Sequence, residues 1–284
     1  MIHFLYNPIA DNGTCERFAR EYAKEHLTQE ECVFTNITLL HDPYGFIERH
    51  AQEQRMVIAG GDGTLNALIN SVGSRRFTRP LYFFSCGTGN DLLRDLGIPA
   101  RKEFLRVNEL IEHLPKITVD GMTRRFFNGV GFGLDGYCCA ELERQKKAGK
   151  EKVSYIAIAA RGLAYAYKPC NAVATVDGRT LELEKVWLAP TMKGRYFGGG
   201  FMIAPGQDRN AEDRHVTVIL AHSVGRLKAL FLLLKARKGK HVNDTNHIIV
   251  LEGHEVSITF DRPAAMQIDG EVLEHVTSYE VRAE

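Results

Sequence analysis

Residues Gly60-Gly61-Asp62-Gly63-Thr64 stand directly behind the apolar run Met56-Val57-Ile58-Ala59 and ahead of Leu65-Asn66-Ala67-Leu68-Ile69. An apolar run, a glycine cluster and then apolar residues at helical spacing predict strand, turn and helix in that order. A strand that is apolar along its whole length is covered on both faces, which is the situation of a parallel strand in an α/β layer. Glycine has no Cβ and tolerates positive φ, so such a turn lets backbone N–H groups approach a phosphate closely. The helix behind it aims its positive end at the same place. One carboxylate, Asp62, stands in the middle of the turn, where it can work on a metal ion or a hydroxyl. The feature points to nucleotide phosphate chemistry; its plainer alternative is a tight strand–helix turn without a ligand.

The residues on either side repeat the pattern. Strands are predicted at 2–6, 32–40, 56–59 and 81–84, alternating with helices at 14–25, 46–54, 65–72 and 91–96. This alternation predicts a Rossmann-like parallel α/β domain over residues 1–121. Ligands of such sheets bind outside the carboxyl ends of the strands. Three polar turns fall there, at 7–14, 60–66 and 87–91. Beyond residue 121 the pattern changes. Two helices are expected at 139–147 and 154–167. Strands are then expected at 172–176, 180–188, 216–221, 248–251, 255–260, 265–268 and 278–282, with Asp177-Gly178 and Asp269-Gly270 as hairpin turns. Residues 122–284 are therefore expected to form an antiparallel β-rich domain of β-sandwich type, whose last strand has the option of returning to the first domain. The active site is expected in the interdomain cleft.

Composition narrows the partners. A formal net charge of +1 over 284 residues supplies no global field for nucleic acid. The 6 cysteines show no CxxC pairing and read as reduced thiols of a cytoplasmic protein. No run reaches the ~18 apolar residues of a membrane span, so any membrane contact is expected to be peripheral. Residues 225–237 predict an amphipathic helix with Leu227, Leu230, Phe231 and Leu234 on its apolar face and Arg226, Lys228, Lys235, Arg237, Lys238 and Lys240 around it. It reads either as a core-packing helix with a basic rim or as a contact for anionic lipid headgroups. A homodimer is left open.

Taken in order, several motifs resemble those of the diacylglycerol kinase catalytic-domain family, which includes bacterial lipid kinases, ceramide kinases and sphingosine kinases. Residues 7–13, 60–66 and 87–91 look like its three glycine-turn signatures. Residues 128–135, 196–205, 239–241 and 267–271 resemble its later motifs. Departures are Asp11 for a usual glycine, Thr14 for a common lysine, Ala67 for a frequent glutamate, Cys86 for proline, and Asp213-Arg214 for Asp-Gly. The resemblance implies a two-domain kinase that takes ATP and Mg²⁺ and phosphorylates a lipid hydroxyl at a membrane surface, with diacylglycerol as the default substrate. By the same resemblance Gly60, Gly61, Asp62, Gly63, Thr64 and Asn66 would bind the ATP phosphates and neighbouring metal, with Thr88 beside them and Asn7 contributing from the first turn. Thr35 or Thr38 would also reach the nucleotide. Glu271 is the implied general base and Asp62 its competitor. Asp213, flanked by the carbonyls of Asn210 and His215, is the implied carboxylate of a second, structural metal site; its alternative is a turn cap. Asp135 is either catalytic or a holder of loop backbone. The rival functions are a kinase of NAD or a sugar phosphate, which use similar glycine turns, and a nucleotide-binding regulator without catalysis.

Overall fold

Four parallel strands carry the first sheet: β1 (Ile2–Tyr6), β2 (Cys32–Asn36), β3 (Arg55–Gly60) and β4 (Leu81–Ser85). The helices between and after them are α1 (Cys15–His26), α2 (Pro43–His50), α3 (Asp62–Val72) and α4 (Asp91–Leu96). A short antiparallel strand, β5 (Leu105–Arg106), and a helix, α5 (Asn108–Glu112), complete the unit. The order is β2-β1-β3-β4-β5. These are features of a computed structural model that describes residues 1–87, 89–150 and 153–283. The chain divides into two units, Met1–Leu114 and Pro115–Glu284.

β1 shows why this layer forms. Its alternate residues Ile2 and Phe4 are buried in one cluster with Cys15, Ala19 and Ala23 of α1. The intervening His3 turns the other way, toward Phe46 and His50 of α2. A strand buried on both faces has no room for a polar stripe, and His3 is tolerated because both ring nitrogens are bonded, to Gln54 and Thr35 at 2.8 Å. Register brings Tyr6 opposite Asn36 and Ala59, and Gly60 opposite Ser85. The turns after β1, β3 and β4 therefore leave the sheet along one edge.

The second unit is built from antiparallel strands. Hairpin β6 (Lys116–Val119) and β7 (Met122–Arg125) is followed by β8 (Gly129–Phe132), α6 (Leu134–Lys147) and α7 (Tyr155–Arg161). Then come β9 (Cys170–Val176), β10 (Arg179–Val186), β11 (Thr191–Met192), β12 (Tyr196–Phe197), β13 (Phe201–Met202) and β14 (Val216–Ala221). Helix α8 (Arg226–Ala236) precedes β15 (Ile248–Gly253), β16 (Glu255–Ile268) and β17 (Glu271–Arg282). Ten of these strands share one sheet. Its core includes Phe132, which stacks on Phe260 with ring centroids 3.9 Å apart and meets Tyr279 edge-on. The buried Tyr279 hydroxyl is bonded to Thr191 Oγ1 and donates to the Ala189 carbonyl.

Several expectations shift. The runs 255–260 and 265–268, read as two strands, are one strand, because irregular register between Thr259 and Met266 absorbs the interruption at Asp261-Arg262-Pro263. α6 begins at Leu134 rather than 139, so Asp135 lies in its first turn. By its contacts the chain divides at Leu114/Pro115, since β6 pairs with β17. The last strand, β17, pairs with β16 and β6 inside the second unit. All six cysteines are free thiols. Among the described residues, no helix is long and apolar enough to cross a membrane.

Candidate functional site

The site begins where β3 ends. Gly61 is the N-cap of α3, with φ −101°, and Asp62 is already helical. The helix thus starts earlier than residue 65, and Asp62 sits in its first turn rather than in the middle of a loop. An aspartate there complements the positive end of the helix. Glycine is not needed at 60, 61 and 63 for positive φ, as the sequence suggested; none of the three adopts it. The reason is close approach. A Cβ on Gly60 would lie 2.4 Å from the Thr64 side chain. A Cβ on Gly87 would lie 2.7 Å from the Cα of Gly61. The turns after β3 and β4 therefore touch backbone to backbone, which only glycine allows. At Gly63, by contrast, a Cβ would meet nothing within 4 Å, so the first turn of α3 faces open space.

Hydrogen bonds lock the three turns together. Asp62 Oδ2 accepts the backbone N–H of Asp91 at 2.8 Å, joining the second turn to the third. Asn7 Nδ2 donates to Thr64 Oγ1 at 2.9 Å, and Asn7 N–H donates to the Ala59 carbonyl, joining the first turn to the second. Asn7 Oδ1 also accepts the N–H of Ile9, and the turn continues through Asp11, Asn12 and Gly13, all at positive φ. Arg101 reaches across to Asp11 Oδ2 at 2.8 Å and to the Cys86 carbonyl at 3.1 Å, closing the ring of contacts.

Of the residues predicted to hold nucleotide, Asn7, Gly60, Gly61, Asp62, Gly63 and Thr64 come together here. Asn66 lies one turn further along α3, where its side chain is buried and its Oδ1 accepts from Asn70 Nδ2. Thr88 lies outside the described residues. The Thr35 hydroxyl is bonded to His3, and Thr38 to the Asn36 side chain that caps the turn after β2.

In the second unit, Glu271 opens β17 on the exposed side of the Asp269-Gly270 hairpin and pairs with Arg124. Both turn residues have positive φ, as the Asp-Gly signal predicted. Asp269, which the sequence reading saw only as a turn former, has a second task. Its carboxylate accepts the N–H groups of Phe127 at 2.8 Å and of Asn128 and Gly129 at 2.9 Å. The buried Arg209 holds the same loop from its carbonyl side, through Phe127 O and Asn128 Oδ1. The only local signal for the first clamp is an Asp-Gly pair after an apolar strand; none exists for the second.

Asp135 is buried. It accepts from the Tyr155 hydroxyl and from Gln267 Nε2 at 2.9 Å, while Gln267 Oε1 accepts the N–H of Gly270. Burial raises its pKa to about 6, against the two hydrogen bonds that favour the anion. Gly131 makes room for it: a Cβ there would fall 1.6 Å from Asp135 Oδ2.

The metal-site candidates lie on the loop before β14. Asp213 is exposed, and its Oδ1 bonds His215 Nδ1 at 2.7 Å. The His215 carbonyl accepts from Gln207 Nε2, and the Asn210 N–H caps on Asp208. Among the described residues, no group of three His, Cys, Asp or Glu is placed to hold a metal ion. Arg214, at the usual glycine of the motif, keeps the left-handed conformation that glycine favours, with φ 58°.

Two family models match the chain. One, described as a diacylglycerol kinase catalytic domain, covers residues 1–122, and the other, described as a YegS C-terminal NAD kinase beta sandwich-like domain, covers residues 128–282. A diacylglycerol kinase of Bacillus subtilis (strain 168) is 23% identical over 283 residues, which span 94% of this chain and 88% of that one. A candidate lipid kinase of Staphylococcus aureus (strain MSSA476) is 26% identical over 219 residues, 76% of this chain and 70% of the other. The crystal structure of a candidate diacylglycerol kinase from Bacillus anthracis str. Sterne superposes with a TM-score of 0.69 at 19% identity, covering 99% of this chain and 91% of that one. That last likeness is one of fold.

Proposed function

This chain belongs to the diacylglycerol kinase-like family of lipid kinases, and on that footing we propose that it transfers the γ-phosphoryl group of ATP to a lipid hydroxyl, with diacylglycerol as substrate and phosphatidic acid as product. The observation that carries the reading is the contact of Gly61 with Gly87, reinforced by Asp62 bonding the N–H of Asp91. It sets two glycine turns side by side at the N-terminus of an eleven-residue helix, an arrangement suited to phosphate groups. The open space at Gly63 leaves the approach clear.

Phosphoryl transfer asks mainly for positioning and charge stabilisation. Mg²⁺ arriving with ATP would neutralise charge on the transferred group, and Asp62, with one oxygen anchored on the Asp91 N–H, is the carboxylate that fits it. The lipid oxygen forms a bond to the γ-phosphorus, the bond to the β-phosphate bridging oxygen breaks, and ADP leaves. The hydroxyl proton goes to Glu271, whose carboxylate is held by Arg124 in the present structure. Asp135 is too deeply bonded to Tyr155 and Gln267 for that role; through Gln267 it supports the 269–271 turn.

Purified protein with Mg²⁺, labelled ATP and diacylglycerol in mixed micelles is expected to yield labelled phosphatidic acid. Transfer of label to NAD or fructose 6-phosphate instead would overturn the substrate class. ATP binding without turnover on a panel of lipids would make the protein a regulator.

A further inference from the structure

Helix α8 is apolar on both sides, and the structure separates the two. Ala229, Leu232 and Ala236 are buried, and with Leu233 they close over a small apolar cavity also lined by Leu134, Trp187 and Ile203. Leu227, Phe231 and Leu234 point outward and are 87%, 55% and 56% exposed. The face expected to pack on the core is therefore the one turned to solvent, apart from the half-buried Leu230. At about 100° per residue, 227, 231 and 234 fall on a single line along the helix. Tyr165, 66% exposed, belongs to the turn Gly162–Ala166 that packs against α8.

Charge surrounds this stripe. From Gly225 to Asn243 the chain carries Arg226, Lys228, Lys235, Arg237, Lys238 and Lys240 and no acidic residue. On the helical wheel Lys228 and Lys235 flank one side of the stripe, and Arg237 and Lys238 follow directly after the last turn. Lys235 lies over the Phe231 ring, 4.6 Å from its centroid. Arg226 turns inward, donating to the Leu163 and Tyr167 carbonyls, and Lys228 is paired with Asp244 at 3.0 Å. Basic residues in the last turn also suit the helix dipole, but that does not account for the exposed leucines and phenylalanine between them.

We infer that the outer face of α8 docks on an anionic lipid bilayer, with Leu227, Phe231 and Leu234 entering the headgroup–acyl boundary and Lys235, Arg237 and Lys238 meeting lipid phosphates. Apolar residues within a cationic rim match such a surface. The same charge opposes a second copy of this chain on the face, because two such helices would bring mostly like charges together. The inference rests on the lipid-kinase reading for its purpose, since a kinase of membrane lipid must reach the bilayer; its test does not use catalysis.

The full chain is sedimented with vesicles of neutral phosphatidylcholine, alone or with about 30 mol % anionic phospholipid, without ATP. Wild type is expected to bind the anionic vesicles and to be released by salt. The variant Leu227→Ala/Phe231→Ala/Leu234→Ala and the variant Lys235→Glu/Lys238→Glu are each expected to lose about tenfold or more in vesicle affinity, with unchanged thermal unfolding. Both are expected to keep wild-type turnover on a dispersed short-chain diacylglycerol. Unchanged vesicle binding in both variants would overturn the inference, as would wild-type dimerisation abolished by the leucine and phenylalanine substitutions. Binding through α8 with no phosphorylation of any lipid would leave the inference standing and overturn the kinase reading instead.

Discussion

Gly87→Ala tests the site at its narrowest point. The added Cβ would stand 2.7 Å from the Cα of Gly61 and 3.5 Å from Asn90 Oδ1. Carbon atoms rest at about 3.5–4.0 Å, so the two turns must part by roughly 1 Å. Both sides of the worst contact are backbone, and no rotamer change can relieve it. Overpacking of this kind costs about 1–3 kcal/mol, read as a fall in melting temperature of roughly 2–10 °C. A displacement of about 1 Å in positioned phosphate-binding groups can also lower turnover on the order of 100-fold. Gly63→Ala is the matched control, because its Cβ meets nothing within 4 Å. It is expected to leave stability unchanged or raise it by about 0.5–1 kcal/mol, since alanine is the better helix former, while weakening ATP binding if phosphate sits against that turn. Melting curves and kcat/KM for ATP on the two variants separate the cases. Wild-type stability and kcat/KM in Gly87→Ala would refute the claim that contact of the two turns builds the site.

Asp62→Asn keeps an oxygen for the Asp91 N–H and removes the charge, so turnover is expected to be abolished while melting stays near wild type; an active variant would remove the carboxylate from the chemistry. Glu271→Gln breaks only an exposed pair with Arg124, a change of about 0–1 kcal/mol in stability, yet is expected to abolish lipid phosphorylation; retained activity would dismiss it as the base. Burial holds the Asp135 carboxyl at about 6, above its unfolded value of 3.8, so the folded chain binds the extra proton between those values. Its contribution is therefore most favourable below about pH 4 and is lost as pH rises through 6, on the order of 2–3 kcal/mol in all. Denaturant melts of wild type and Asp135→Asn from pH 4 to 7 are expected to differ by that slope; parallel curves would refute it.

Local chemistry made much of this protein legible in its sequence. Continuous apolar runs such as Met56–Ala59 mark doubly covered strands wherever they occur, and glycine turns behind them mark strand ends, so the parallel layer and its three turns could be placed without coordinates. The Asp269-Gly270 hairpin was legible for the same reason, because positive φ at both residues is a local demand. What depended on residues far apart in the chain was hidden. The glycines at 61 and 87 are required by each other, not by their own φ angles. Asp269 and Arg209 grip one loop from opposite polarities across long sequence separations, which no pattern announces. α8 is the clearest case. Apolar residues lie nearly all the way round it, so periodicity cannot choose a buried side. Packing chose instead: the alanines let the helix approach the core closely, and Leu227, Phe231 and Leu234 were left outside.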